Sequence, residues 1–470
     1  MSSNEGEWPG AEVGEEPVSP TGQYFNSSAL SVCILSAFES EVPIDDSPTM
    51  DVLRSMFLPA NPRFSSIMVT DKKGVKLWKR VPVNLEDHVN VPVFPPGLSV
   101  EAYHRCTQDY LTKIGMEKMR QDRPLWEIHI LKYPTLTGEG TLVFKLHHAL
   151  GDGFTLLGAL LSLLKRADDP SLPITFPSRS KKGEEKEKGR NLWRTATHAV
   201  HVGINTAWEF GWSLLKGEDK RSPIRSGDPG VEFRPVVISS VIFPLDDLRR
   251  IKNKLGGTIN DVITGIIFLG VQLYLTSGTK ERVGYNSTAL ILINTRVVDT
   301  YQSLHEMTKP DAKSPWGNQF GFLHVSLPQH DDPESQNPLD FVSEARETIE
   351  KKRNSLAVYL NGRFLEIIRK LKGSEVAAEY VHTTLRNTSM TISNMIGPLD
   401  QIEIAGHNVR SFYFMVVGVP QSLTITMISY MGKLRVTFGT EKGFIDEQRL
   451  MLCVEKAFTR IFQKALGEQG

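Results

Sequence analysis

Two adjacent histidines, His147 and His148, open the segment HHALGDG, which Asp152 and Gly153 close. A neutral imidazole can take a proton from a hydroxyl near neutral pH, which is the work of a general base. Asp152 lies four residues beyond His148, where a carboxylate would orient the loop rather than touch a substrate. Gly151 and Gly153 permit a tight bend with close backbone approach. Counting only its fixed positions, such a segment arises by chance in roughly one chain in a thousand. Three other readings stand beside catalysis. A metal site is the weakest, because adjacent histidines point in different directions and no compact third-ligand set accompanies them. The others are a core histidine pair in a loop and a binding site without turnover. The chain has no G-x-S-x-G, no P-loop and no G-x-G-x-x-G after a strand. Nothing therefore points to an acyl-enzyme hydrolase, a nucleotide hydrolase or a Rossmann site.

The elements around the segment place it at a strand end. Thr141–Leu146 (TLVFKL) reads as a strand and Phe154–Lys165 as an apolar helix. Upstream, Trp126–Lys132 alternates as a strand should, and Gly138-Glu139-Gly140 makes the turn between the two strands. Val100–Met119 is a predicted helix with Ser99 as its cap. Phe64–Val69 and Val75–Val81 are predicted strands of a hairpin, and Ser31–Ala37 is a short apolar run. These form a first folded unit over residues 22–167, behind an acidic, Gly/Ser/Pro-rich leader over 1–21 that reads as disordered.

Residues 168–222 read as a charged linker followed by a helix over Asn191–Lys216. That helix carries a polar stripe (Arg194, His198, His201, Asn205, Glu209) beside an apolar one with Trp193, Trp208 and Trp212. It fits either a helix lying on a membrane or one packed on its own protein; its charges make it a poor span. The second unit covers 223–470. Its predicted elements are strands at Val236–Phe243 and Ala289–Asn294, helices at Leu245–Leu255, Thr258–Leu275, Asp340–Lys352 and Glu447–Ala465, and a hairpin around Met431-Gly432. Helices and strands mix throughout, which makes the class α/β with mixed sheets, and 470 residues favour two domains. Lys and Arg together number 54, as do Asp and Glu, so no net charge recruits nucleic acid. Three scattered cysteines point to a reducing compartment rather than a disulfide framework.

HHALGDG resembles the HHxxxDG signature of the CoA-dependent acyltransferase superfamily. Pro124-Leu125-Trp126-Glu127 looks like the PLWE element of the wax ester synthase/diacylglycerol acyltransferase family. Asn260-Asp261 resembles that family's ND element, Asn294-Thr295-Arg296 its N-x-R region, and Ser393–Pro398 (SNMIGP) its SN(V/I)xGP element. These matches fall in the expected order over residues 100–440, closest to the plant branch; the D-F-G-W-G motif of the BAHD branch is missing. The resemblance implies a two-domain chloramphenicol-acetyltransferase-like fold with an active-site tunnel at the domain interface. It also implies transfer of a long-chain acyl group from acyl-CoA to a fatty alcohol or diacylglycerol. By it, His148 is the proton acceptor, His147 is mainly structural, and Asp152 pairs with an arginine, for which Arg296 is the candidate. Gly153, Asn260 and Asp261 support the site, with a helix cap as the other reading of the last two. Pro124, Trp126 and Glu127 shape the pocket near His148, although core packing suits Leu125 and Trp126 better. Asn394 and Gly397 hold a loop at the domain interface. The reaction so implied uses acyl-CoA as co-substrate, with no metal and no other cofactor, at the endoplasmic reticulum membrane or the plasma membrane, facing the cytosol. Two alternatives remain: a superfamily enzyme for a smaller soluble alcohol, and an idle acyl-binding protein.

Overall fold

The computed structural model describes residues 16–72, 75–161, 163–177, 206, 209, 211, 216–277, 285–294, 316–330, 332–353 and 357–467. Most of the expected amphipathic helix over 191–216, the hairpin turn at 73–74 and Arg296 lie outside them.

Among the described residues, three sheets organise the fold. A small one joins β1 (Glu16–Pro17), β3 (Ser66–Thr70) and β4 (Lys76–Arg80) in the order β1-β4-β3. A seven-stranded sheet contains β2 (Cys33–Ser40), β5 (Val89–Asn90), β6 (Trp126–Leu131), β7 (Gly140–His147), β8 (Leu164–Arg166), β13 (Ile402–Ile404) and β14 (His407–Val417), in the order β5-β6-β7-β2-β14-β13-β8. A six-stranded sheet contains β9 (Val236–Pro244), β10 (Thr288–Asn294), β11 (Phe320–Ser326), β12 (Met390–Met395), β15 (Leu423–Tyr430) and β16 (Lys433–Glu441), in the order β11-β10-β12-β15-β16-β9. Its strands are antiparallel except for β10–β12 and β12–β15. The helices are α1 (Pro20–Phe25), α2 (Val100–Met116), α3 (Gly153–Leu161), α4 (Leu245–Leu255), α5 (Ile259–Thr276), α6 (Pro338–Arg353), α7 (Ala357–Lys372), α8 (Ser374–Arg386) and α9 (Glu447–Leu466).

Local sequence accounts for much of this. β2 is buried along its whole length because it lies inside its sheet with both faces covered, so it reads as a nearly continuous apolar run. Ser99 caps α2 through the Ala102 N–H, and Asp446 caps α9 through the Arg449 N–H. The β15–β16 hairpin turns on Met431 (φ +46°) and Gly432 (φ +73°), the left-handed pair that a two-residue hairpin demands. α5 has the length and apolarity to cross a membrane, yet 83% of it is buried inside the protein, against α6 and α9. It is the core helix of the second sheet.

The expected boundary at residue 223 does not separate the two large sheets. Residues 402–417 return to the first sheet, where β14 pairs antiparallel with β2 and β13 with β8. The same pairing corrects the predicted Phe154–Lys165 helix. α3 stops at Leu161, and Leu164–Arg166 form a strand against Ile402–Ile404, a partner too distant in sequence for local periodicity to announce. A buried ion pair also ties the sheets together. Arg435 on β16 reaches Glu39 on β2 (Nη1–Oε2 2.6 Å) and donates to Ser411 on β14 and Ser240 on β9.

Candidate active site

β7 delivers the histidine pair to the end of an inner strand. The His147 N–H donates to the Leu125 carbonyl (3.0 Å) and the His148 N–H to the Val32 carbonyl (2.9 Å), so both backbones are pinned. The two side chains then meet opposite conditions. His147 is fully buried. Its Nδ1 accepts the Ala149 N–H (3.1 Å), which puts its proton on Nε2, facing Ser31 Oγ at 3.3 Å. Burial pushes its pKa down to about 3, with His148 and Lys145 adding to the fall.

His148 takes the other tautomer, and Asn318 decides this. Asn318 Nδ2 lies 3.0 Å from the His148 carbonyl, which can only accept. The amide orientation is thereby fixed, and Asn318 Oδ1 must be the atom 3.0 Å from His148 Nδ1. Nδ1 therefore carries the hydrogen and Nε2 the lone pair. The ring packs against a stacked pair, Phe25 (centroids 4.5 Å apart) and Phe320 (5.5 Å), and the residue is 5% exposed. Burial lowers the His148 pKa against the upward pull of Asp152 and of the Asn318 bond, so the imidazole is neutral at neutral pH. Such a group can accept a proton at Nε2.

Asp152 works on the backbone. Its Oδ1 accepts from the Thr155 N–H (3.0 Å), as a cap at the start of α3, and its Oδ2 accepts from the Gln319 N–H (2.8 Å). The carboxylate thus joins the histidine loop to the segment that presents Asn318. Trp316 Nε1–H (2.8 Å) and Arg63 Nη1–H (3.0 Å) both donate to the Leu150 carbonyl, strengthening the same junction. Arg296, the expected partner of Asp152, lies outside the described residues. The sequence reading missed Trp316, Asn318, Gln319 and Arg63. The one signal for the first three is a Trp-Gly-Asn-Gln run ahead of a strand, which by composition reads only as a turn.

A cavity adjoins the ring and shares its walls. Phe25 and Phe320 line it together with Tyr24, Phe322, Leu365 and Val381, and its volume is about 250 Å³. That is just under the roughly 300–1,000 Å³ of ligand clefts. A smaller apolar cavity lies on the α3 side, between Gly153, Leu157, Met395 and Phe414.

The remaining expected site residues fall in three groups. Asn260 and Asn394 meet, with Asn394 Nδ2 donating to Asn260 Oδ1 at 3.1 Å, so the ND and SNMIGP elements join across α5 and β12. Asp261 caps α5 instead: its carboxylate accepts the Thr258 N–H (2.8 Å) while Thr258 Oγ1 accepts the Asp261 N–H (3.2 Å). Gly397 lies where a Cβ would come within 1.9 Å of the Ser429 carbonyl, so it serves close strand approach. Pro124–Glu127 lie in the framework beside the histidine strand, with Leu125 and Trp126 in the core, as core packing implied for those two. Trp126 is fully buried, stacks on His88 (4.1 Å) and donates to the Phe64 carbonyl (2.9 Å). Leu125 supplies the carbonyl that anchors His147, and the Pro124 carbonyl accepts the Trp126 N–H. Glu127 joins Lys145, Arg123 and His129. Burial raises its pKa, but those three outweigh it and hold the carboxyl at about 2. Alternation along β6 sends Trp126 and Glu127 to opposite faces of the sheet. Among the described residues, no group of three or more His, Cys, Asp or Glu is placed to hold a metal.

Residues 32–208 match the wax ester synthase/diacylglycerol acyltransferase catalytic domain, and residues 316–462 match the WS/DGAT C-terminal domain. His148 falls in the first and Asn318 in the second. Wax ester synthase/diacylglycerol acyltransferase 4 of Arabidopsis thaliana is 31% identical over 92% of this chain and 87% of its own length. Wax ester synthase/diacylglycerol acyltransferase 9 of the same plant is 29% identical over 98% of both. Among solved structures, the wax ester synthase/diacylglycerol acyltransferase from Marinobacter aquaeolei VT8 shares the fold at a TM-score of 0.60 and 15% identity, over 96% of this chain and all of that one. The first condensation domain of the CDA synthetase does so at 0.53 and 15%, over 92% and 90%. With HHALGDG at the end of an inner strand and a curated relative above 30% identity across nearly the whole length, the chain belongs to the wax ester synthase/diacylglycerol acyltransferase family.

Proposed function

We propose that the chain transfers a long-chain acyl group from acyl-CoA to the hydroxyl of a fatty alcohol or diacylglycerol, with His148 Nε2 as general base. The observation that carries this is the Asn318 lock, which leaves Nε2 as the lone-pair nitrogen of a ring packed on two walls of an apolar cavity. The names of the relatives support the substrate classes.

Nε2 takes the hydroxyl proton as the alcohol oxygen attacks the thioester carbonyl carbon. The tetrahedral adduct collapses, the C–S bond breaks, and the imidazolium returns its proton to the departing thiolate. Base and acid are the same nitrogen, so the ring ends neutral and needs no second titrating group. No covalent enzyme intermediate, metal or cofactor beyond acyl-CoA enters. The cavity beside Phe25 and Phe320 takes the acceptor. Its apolar walls suit an acyl or alkyl chain, and the buried Tyr24 hydroxyl, which has no hydrogen-bond partner among the described residues, is available to a polar group such as an ester carbonyl. Acceptors of this kind reside in membranes, so the protein works at a membrane surface, with the endoplasmic reticulum as its site and the catalytic side toward the cytosol.

The test is ester formation by the purified full chain from palmitoyl-CoA and hexadecanol or dioleoylglycerol. His148→Ala should lose about 10²- to 10⁴-fold, the ordinary contribution of a positioned acid–base group. Wild-type turnover by that variant removes His148 from the chemistry.

A further inference from the structure

We propose that the outward face of α7 docks the protein on an anionic phospholipid bilayer, beside the cavity that shares Phe25 and Phe320 with the His148 ring. The inference rests on that cavity being the lipid acceptor site.

α7 is peripheral: from Leu360 to Lys372 none of its residues is fully buried. Leu360, Ile367 and Leu371 recur at spacings of seven and four, which puts them on one helical face. They are 38%, 53% and 79% exposed. Val376, in the first turn of α8, is exposed as well. A ridge of large apolar side chains on a stretch, Leu360–Lys372, that contributes nothing fully buried is unusual for a face that meets only water.

Charge identifies the occupant. The helix carries Arg363, Arg369, Lys370 and Lys372 against one acid, Glu366, which pairs with Lys370 at 2.9 Å. Arg363 and Lys370 flank the ridge within one turn of it. An apolar ridge bordered by basic side chains is the pattern of a helix lying in a bilayer interface, with its cations drawn to anionic headgroups.

Position gives the purpose. Asn361, Gly362, Leu365 and Glu366 of the same helix line the cavity. One edge of α7 therefore faces the proposed bilayer, and the other walls the cavity that Phe25 and Phe320, the two rings packed against His148, also line. A lipid alcohol leaving the bilayer beside α7 keeps its chain out of water along the way.

The test is flotation of the full chain with vesicles of phosphatidylcholine alone or with about 30% phosphatidylserine added. The protein should float with the anionic vesicles and less with the neutral ones. Ile367→Asp/Leu371→Asp, and separately Arg363→Glu/Lys370→Glu, should each weaken binding at least about tenfold. Turnover of vesicle-embedded dioleoylglycerol should fall with it, while turnover of detergent-dispersed hexadecanol stays at the wild-type level, since none of the four side chains lines the cavity. Circular dichroism checks that both variants are folded, and the charge pair probes the same face without altering apolar packing. A wild-type chain that stays off anionic vesicles, or double variants that float as it does, overturns docking by α7. Absence of ester in detergent instead refutes acyl transfer, so the two readings fail separately.

Discussion

Asn318 offers the sharpest test of the site because it does two things to one residue. Asn318→Ala removes the acceptor of the His148 Nδ1–H and the donor to the His148 carbonyl, both at 3.0 Å. His148 itself is buried, so the abandoned groups are poorly reached by water. A buried polar group left without a partner costs about 1–3 kcal/mol. Here the cost falls on the reactive geometry, since a ring free to turn or to change tautomer presents the wrong nitrogen. At about 1.4 kcal/mol per factor of ten, kcat should drop roughly 10- to 100-fold. KM for the acceptor should change little, because Asn318 does not line the large cavity. Initial rates with palmitoyl-CoA and hexadecanol measure both. In a His148→Ala background the same substitution should cost almost nothing more, as residues acting through one group are not additive. Asn318→Asp supplies the sign. A carboxylate at Nδ1 stabilises the imidazolium and raises the pKa of His148 from its lowered position, so the acid limb of the rate–pH profile moves to higher pH. An unmoved limb, or a full additional loss in the His148→Ala background, would refute the assigned role of Asn318.

Two further expectations concern stability. His147 is held neutral by burial with a pKa near about 3, whereas an exposed histidine titrates near ~6.5. The unfolded chain thus binds more protons between those values, and the stability due to His147 is complete above pH ~6.5 and lost as pH falls toward 3. The loss is about 1.4 kcal/mol per pH unit per histidine, and His324, lowered by burial to about 4, acts in the same direction. Urea midpoints should fall between pH 7 and pH 5, above the range where carboxylates titrate, and less steeply in His147→Gln; equal slopes would exclude His147 as a source. Glu39→Gln removes the charge facing Arg435 across the sheets and should cost about 3–5 kcal/mol in guanidinium unfolding, with Glu39→Leu/Arg435→Met recovering much of it. A loss below about 1 kcal/mol would mean that water already screens the pair.

What the sequence disclosed was local. The run into His147 alternates and ends at two imidazoles, so the strand and its cargo are legible together. Thr258 and Met431-Gly432 announce a helix start and a hairpin by side-chain and backbone requirements that need no partner. What it withheld depends on distant segments. β8 exists because Ile402–Ile404 lies beside it, and no periodicity within 154–167 separates that strand from a continued helix. Asn318 carries no charge and belongs to no recognised element, so its place against His148 appears only when the segment is folded. The PLWE residues were legible in part: core packing suits Leu125 and Trp126, but only strand alternation separates Trp126, in the aromatic core, from Glu127, in a buried ionic cluster.

The reason for two adjacent histidines follows from their opposed tautomers. His147 accepts the Ala149 N–H at Nδ1, and its carbonyl accepts the Leu150 N–H at 3.0 Å, so it closes the turn from its own buried position. That turn presents the Leu150 carbonyl to Trp316 and Arg63 and places Asp152 against Gln319. The segment thus secured is the one that carries Asn318 to the second imidazole. His147 therefore acts on His148 twice: directly as the preceding residue of the strand, and through a loop more than 160 residues away that fixes which nitrogen of His148 holds the proton. The crossing of β13 and β14 into the first sheet and the Glu39–Arg435 pair hold the two sheets in the register this loop requires. Local sequence alone could put the right ring at the strand end; the choice of nitrogen needs the second half of the chain.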